Sequence, residues 1–169
     1  YTVETESGEK LDILHDVNLQ IDERFVAMQL LNIVFGGGMT SKLFMNVREK
    51  LSLCYSVGSA YYGVKGIMTV SAGIDESKEQ IARQEIMAQL QACKNGDITP
   101  EELAAAKEAV LSTLETTHDS PGSIEGYYST AALSGMAMTP AEYLEAVEKL
   151  TFGQLFVRIL KKAAMAKES

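Results

Sequence analysis

Strand-type alternation in the first half of the chain, followed by an uninterrupted series of helical patterns, predicts an α+β fold: an antiparallel sheet with helices packed on one face. Two stretches carry this. Residues 53–64 are rich in Tyr, Val and Ser and turn at 63–66, and Met68, Val70, Ala72 and Ile74 then alternate with Ile67, Thr69, Ser71 and Gly73. That is the pattern of an antiparallel hairpin. Beyond residue 77, apolar side chains recur at three- and four-residue spacing behind repeated helix-start signatures. At 169 residues the chain suffices for one domain with a real core and not for two ordinary ones.

Residues 1–6 alternate Tyr1, Val3 and Thr5 with Thr2, Glu4 and Glu6 and read as a strand, with Ser7, Gly8, Glu9 and Lys10 as its turn. A short strand is expected within 11–21, around Val17, Leu19 and Ile21. His15 falls there; no second ligand is spaced to join it, so it reads as an exposed or capping histidine. From Asp22, a suitable cap, the spacing becomes helical through Phe25, Met28, Leu31 and Val34, with Leu30 alongside, and ends at Gly36, Gly37 and Gly38. A second helix starts at once behind the cap-type residues Thr40 and Ser41. Its pattern turns Leu43, Phe44 and Val47 inward and Lys42, Asn46 and Glu49 outward. It delivers Arg48, breaks over 50–53, and leads to Tyr55 at the head of the hairpin. Of the neighbours Tyr61 and Tyr62, one should pack inward.

Ser77 and Gln80 have capping-box spacing ahead of Ile81, Ile86, Leu90 and Cys93, and Asn95, Gly96 and Asp97 close that helix. Thr99, Pro100, Glu101 and Glu102 form a second box with proline at the first helical position, leading into Leu103, Ala106, Val110 and Leu114. Asp119, Ser120, Pro121 and Gly122 break the chain before a helix through Ile124, Tyr127, Tyr128, Ala131 and Ala132. Thr139, Pro140, Ala141 and Glu142 repeat the cap. An amphipathic stripe of Phe152, Leu155, Phe156, Ile159 and Leu160 completes the series.

With 46% hydrophobic and 22% charged residues the chain is globular rather than disordered. A formal net charge of −8 argues against a nucleic-acid or anionic-membrane surface. No uncharged apolar run reaches the ~18 residues of a membrane span, and no signal peptide opens the chain. Cys54 and Cys93 lie far apart with no metal or redox spacing, so both read as small buried hydrophobes and the expected compartment is the cytoplasm. A start at Tyr1 rather than Met reads as a piece excised from something longer.

The chemistry concentrates in 32–55. Three consecutive glycines remove every Cβ, so the backbone can turn tightly, take φ > 0 and admit close approach. Taken alone they read first as a tight interhelical turn. A phosphate loop is excluded: no glycine precedes Lys42, and Leu43 stands where Ser or Thr would hold magnesium. The run Leu31-Asn32, Phe35-Gly36-Gly37-Gly38, Ser41-Lys42-Leu43-Phe44, Val47-Arg48-Glu49-Lys50, Leu53-Cys54-Tyr55-Ser56-Val57, continued by Gly66-Ile67-Met68 and Ser71-Ala72-Gly73-Ile74, resembles the second-half domain of the M16 (pitrilysin-like) zinc peptidases.

This resemblance covers most of the chain. It implies a ferredoxin-like elaboration of the α+β fold and a single domain, 1–169, from the C-terminal half of a longer protein. In that family the N-terminal half carries zinc on an inverted His-x-x-Glu-His motif, and the metal-free half closes over a peptide substrate. Arg48 and Tyr55, seven residues apart, match the pair that reaches the peptide at the zinc, and Gly36, Gly37, Gly38 and Ser41 are implied as substrate-binding. The family's domain usually closes with a strand after the last helix; here the chain runs into Lys161, Lys162 and a polar end, which would leave a sheet edge unpaired.

The residues alone are compatible with these roles. A tyrosine hydroxyl is a neutral donor for a carbonyl oxygen gaining negative charge, and a guanidinium fork can hold a substrate carbonyl in register. The only histidines are His15 and His118, and His118 reads as a helix-end residue, so this chain alone holds no peptidase zinc site and should be inactive by itself. The metal is expected on the partner half, in the same chain or another. A non-catalytic structural or assembly member of the same fold is the alternative. A small-ligand module at 36–41 is a third reading.

Overall fold

An almost wholly apolar helix runs through the middle of the molecule. The structure, a computed structural model, describes residues 2–4, 10–12, 23–134, 138–151, 153 and 155. Thr2–Glu4 (β1) and Lys10–Asp12 (β2) pair antiparallel, with Val3 opposite Leu11. Lys10 thus opens the returning strand rather than ending a turn. His15 and the strand expected around Val17, Leu19 and Ile21 lie outside the described residues.

Glu23–Gly36 (α1) is the central helix. Val26, Ala27, Leu30, Leu31, Val34 and Phe35 are buried, whereas Phe25 and Met28 are half-buried at the core's edge. The expected one-sided stripe was too narrow, because a helix covered on several sides is apolar nearly all round. It packs against the hairpin and against the helices Glu79–Lys94, Pro100–Glu115 and Pro140–Lys149.

The hairpin is Ser56–Tyr62 (β3) and Ile67–Gly73 (β4), antiparallel, in the register Ser56↔Gly73 through Tyr62↔Ile67. β3 docks on α1 through polar and aromatic contacts. The Ser59 hydroxyl reaches the backbone oxygen and Oδ1 of Asn32 at 3.2 and 2.8 Å, meeting the needs of a nearly buried amide. Tyr61 packs on Phe25 with ring centroids 5.9 Å apart, while Tyr62 faces solvent, so the inward member of the tyrosine pair is Tyr61.

Glu79–Lys94 (α2), Pro100–Glu115 (α3), Pro121–Ser134 (α4) and Pro140–Lys149 (α5) follow. Both Thr-Pro-x-Glu boxes form: the Thr99 and Thr139 hydroxyls accept from the Glu102 and Glu142 amides, and each glutamate accepts from its threonine's N–H. Each such cap contributes about 1 kcal/mol. Ser120 caps α4 by accepting from the Ser123 N–H at 3.1 Å, with Pro121 at the first helical position, so the predicted break is the helix start itself. The box expected at Ser77 and Gln80 does not form. A short 3₁₀ turn, Glu76–Lys78, leads into α2 without a side-chain cap. Among the described residues no helix is long and apolar enough to cross a membrane.

Candidate functional site

Between α1 and β3 the chain makes an uncommon element, a π-helix over Leu43–Lys50. Such winding is rare and gathers at functional sites. Leu43 and Val47 anchor it in the core. Ser41, 2% exposed, accepts from the Phe44 N–H at 3.3 Å, which is the capping role its position suggests.

Lys42 corrects an expectation. It is 6% exposed, not outward, and its Nζ lies 3.0 Å from the Glu102 carboxylate on α3. Asn46 is half-buried too, donating to Gln89 Oε1 on α2 at 2.8 Å. Helices that come later in the sequence cover the face a local reading assigns to solvent. Glu49 is exposed as expected.

The π-helix ends at Lys50, and two residues on Ser52 sits in the left-handed region at φ 50. The Ser52 N–H bonds back to Arg48 O and the Leu53 N–H to Val47 O, both at 3.0 Å, reversing the chain. The Tyr55 N–H then bonds Gly73 O at 2.8 Å, fastening Tyr55 to the far end of β4. This reversal, rather than helical phase, returns Tyr55 to the side of Arg48.

Both side chains line one open hollow of about 540 Å³, shared with Glu49, Ser52, Leu53, Cys54, Asp75 and Lys78. Arg48 is partly exposed, its guanidinium 4.6 Å over the Phe44 ring centroid and 3.6 Å from Glu49 Oε1. The Tyr55 ring is 67% exposed, and its Oη donates to Asp75 Oδ1 at 2.6 Å. That bond, reinforced by the Asp75 charge, pushes the phenol's pKa up, so Tyr55 is a neutral donor. Lys78 Nζ donates to the Ser52 carbonyl at 2.9 Å.

Sequence reasoning missed Asp75 and Lys78. The available signal was the hairpin register, since Asp75 lies two residues past Gly73, the partner of the Tyr55 amide.

The glycines stand apart from this hollow. Gly36 is buried against β3, where a Cβ added at Gly58 would stand 3.4 Å from its carbonyl oxygen. Gly37 lines a different hollow, of about 410 Å³, beside Phe25, Gln29, Tyr127 and Tyr143. Gly38 is exposed. None of the three takes the left-handed backbone their run suggested; the left-handed glycines among the described residues are Gly66 and Gly96. Ser41 is buried, its hydroxyl spent on the helix start.

Cys93 is buried, whereas Cys54 is half-buried and lines the hollow. Burial pushes Cys54 up against the nearby Arg48 charge, and pushes Cys93 up to about 11 against Lys42. Among the described residues no group of three or more His, Cys, Asp and Glu side chains could hold a metal. His118 falls in the short turn Thr116–Asp119 that follows α3. A catalytic zinc does not fit these side chains.

Comparison with known proteins identifies the family. The family described as "Peptidase M16 inactive domain" matches residues 12–110. A Bacillus subtilis (strain 168) protein named "Probable inactive metalloprotease YmfF" is 36% identical over 131 residues, 77% of this chain and 30% of its own length. An "Uncharacterized zinc protease" of Rickettsia bellii (strain RML369-C) is 31% identical over 128 residues, 74% of this chain and 31% of its own. The crystal structure of a conserved protein from Enterococcus faecalis V583 superposes with a TM-score of 0.73 at 29% identity, over 82% of this chain and 33% of that one. The chain thus spans about a third of the length of these proteins. It belongs to the M16 peptidase family, through the domain described there as inactive.

Proposed function

We propose that this chain is a single domain from the C-terminal half of a longer zinc peptidase, and that it holds a peptide in place for a zinc-bearing N-terminal half. One observation carries the reading: Arg48 and Tyr55, delivered by two different elements, open onto the same exposed hollow. Tyr55 donates to a peptide carbonyl oxygen as negative charge builds there. Arg48 offers its fork to a neighbouring carbonyl and fixes the register of the backbone. The metal belongs to the other half, and the peptide lies enclosed between the two. Two free thiols accord with a cytoplasmic setting.

The test is cleavage of peptides by the intact protein carrying Tyr55→Phe or Arg48→Ala. Loss of one transition-state donor lowers kcat on the order of 10²-fold. Unchanged kcat/KM in both variants would remove the role. A second reading, a non-catalytic structural or assembly protein of the same fold, is favoured by the YmfF relative, whose name calls it inactive. The N-terminal half separates the two: an intact His-x-x-Glu-His supports the peptidase, and a degraded one supports the scaffold.

A further inference from the structure

We propose that Asp75 is a latch on this site: its carboxylate holds the one proton of the Tyr55 hydroxyl and yields it when a peptide carbonyl arrives. The inference rests on the reading of Tyr55 as the peptide-facing donor. A phenol has a single O–H, and here it is directed at Asp75 Oδ1 over 2.6 Å. Tyr55 therefore cannot donate to a substrate while that bond stands.

The arrangement is built into the fold. The bond from the Tyr55 N–H to Gly73 O fixes the tyrosine backbone beside the end of β4, and the chain continues through Ile74 in an extended path to Asp75, at φ −75 and ψ 141. One turn on, Lys78 donates to the carbonyl of the strained Ser52. The segment 75–78 thus clasps the 52–55 reversal at both ends, by a carboxylate on the phenol and an ammonium on the backbone. Both the ring and Asp75 are exposed, so exchanging one acceptor for another needs no opening of the core.

The test measures binding of a fluorescein-labelled pool of random decapeptides, blocked at both ends, to the intact protein by fluorescence polarisation. Asp75→Ala should bind roughly 3- to 10-fold more tightly than wild type, the range left to a charge-assisted bond after discounting for exposure. The gain should vanish in the Tyr55→Phe background, which a general loosening of the fold would not reproduce. Asp75→Asn, which keeps an acceptor without the charge, should fall between. Tyr55→Phe weakening the complex while Asp75→Ala leaves it equal or weaker overturns the latch alone. A Tyr55→Phe variant that both binds peptide and cleaves it as wild type does overturns the underlying reading and the latch with it.

Discussion

Replacing Gly36 by alanine should destabilise this domain, and the same change at Gly38 should not. A Cβ at Gly36 would sit 2.6 Å from Ser59 Oγ, 2.8 Å from the Ser59 amide nitrogen and 2.9 Å from Leu43 Cδ1. Carbon contacts are comfortable at about 3.5–4.0 Å, so each falls short by roughly 0.6 Å or more. Leu43 Cδ1 can rotate away. Ser59 Oγ can swing too, at the expense of its bond to Asn32. The amide nitrogen cannot, because it is part of β3 in register with Val70. The end of α1 and the strand must therefore separate. Overpacking of this kind costs about 2 kcal/mol at the middle of its range, against an entropic gain of about 0.7 for Gly→Ala, which leaves a net loss of about 1.3 kcal/mol. For a domain of this size that is a fall in Tm of roughly 3–5 °C.

At Gly38 an added Cβ meets nothing within 4 Å, so only the entropic gain remains. The assay is thermal and urea unfolding of the intact protein with each substitution. A Gly36→Ala variant as stable as Gly38→Ala would refute the claim that the first glycine exists for packing. The pair also sorts structure from binding: peptide affinity lost in Gly38→Ala with unchanged Tm would assign the exposed glycine to the substrate.

Other consequences are as open to measurement. Lys42→Met breaks a largely buried ion pair but leaves Glu102 partly exposed and still capping α3. The expected loss is therefore about 2 kcal/mol, below the range for fully buried pairs, and Lys42→Met with Glu102→Gln should cost less than the two singles summed, a cycle read from urea midpoints. Ser52→Gly relieves a non-glycine residue at φ 50 and should raise stability by about 0.5–1 kcal/mol; a lower midpoint would mean the reversal is unstrained. Burial pushes Tyr127 up to about 12 and also raises Tyr143, so the folded state favours their protonated forms. With an unfolded value of about 10, that stabilisation is complete below pH ~10 and lost as pH rises through about 12. Denaturant midpoints from pH 9 to 12 should fall across this window, and Tyr127→Phe should flatten part of the decline.

The parts of this fold that local chemistry decides could be read directly. Thr99 with Glu102, and Thr139 with Glu142, close boxes within a single turn, and the alternation from Ile67 to Ile74 marks β4 as a strand. What could not be read depends on partners distant in sequence. Lys42 looks like a surface lysine until α3 arrives with Glu102, and Asn46 looks solvated until α2 supplies Gln89. The box at Ser77 failed where a 3₁₀ turn entered α2 instead, with Asp75 ahead of it bonded to Tyr55. At the candidate site, the Arg48 and Tyr55 pair came from resemblance, because no periodicity links a helix residue to one beyond a break. The left-handed Ser52 that joins them has no marker, since serine is not the residue usually found there.

The seven-residue interval between Arg48 and Tyr55 acquires a physical meaning from how each end is held. Arg48 rides on a helix pinned by Leu43 and Val47 in the core and by Lys42 on α3. Tyr55 is held by the β3–β4 ladder, which begins at its own amide. Neither anchor can slide: the helix is fixed by burial, and a one-residue slip of a strand sends every side chain to the opposite face. The intervening 49–54 must therefore span a set gap with a set change of direction, and one left-handed residue provides it. An interval longer or shorter by one would change the gap that this segment has to span. The spacing is a property of the packed fold, and the hollow lined by Arg48 and Tyr55 is part of that fold.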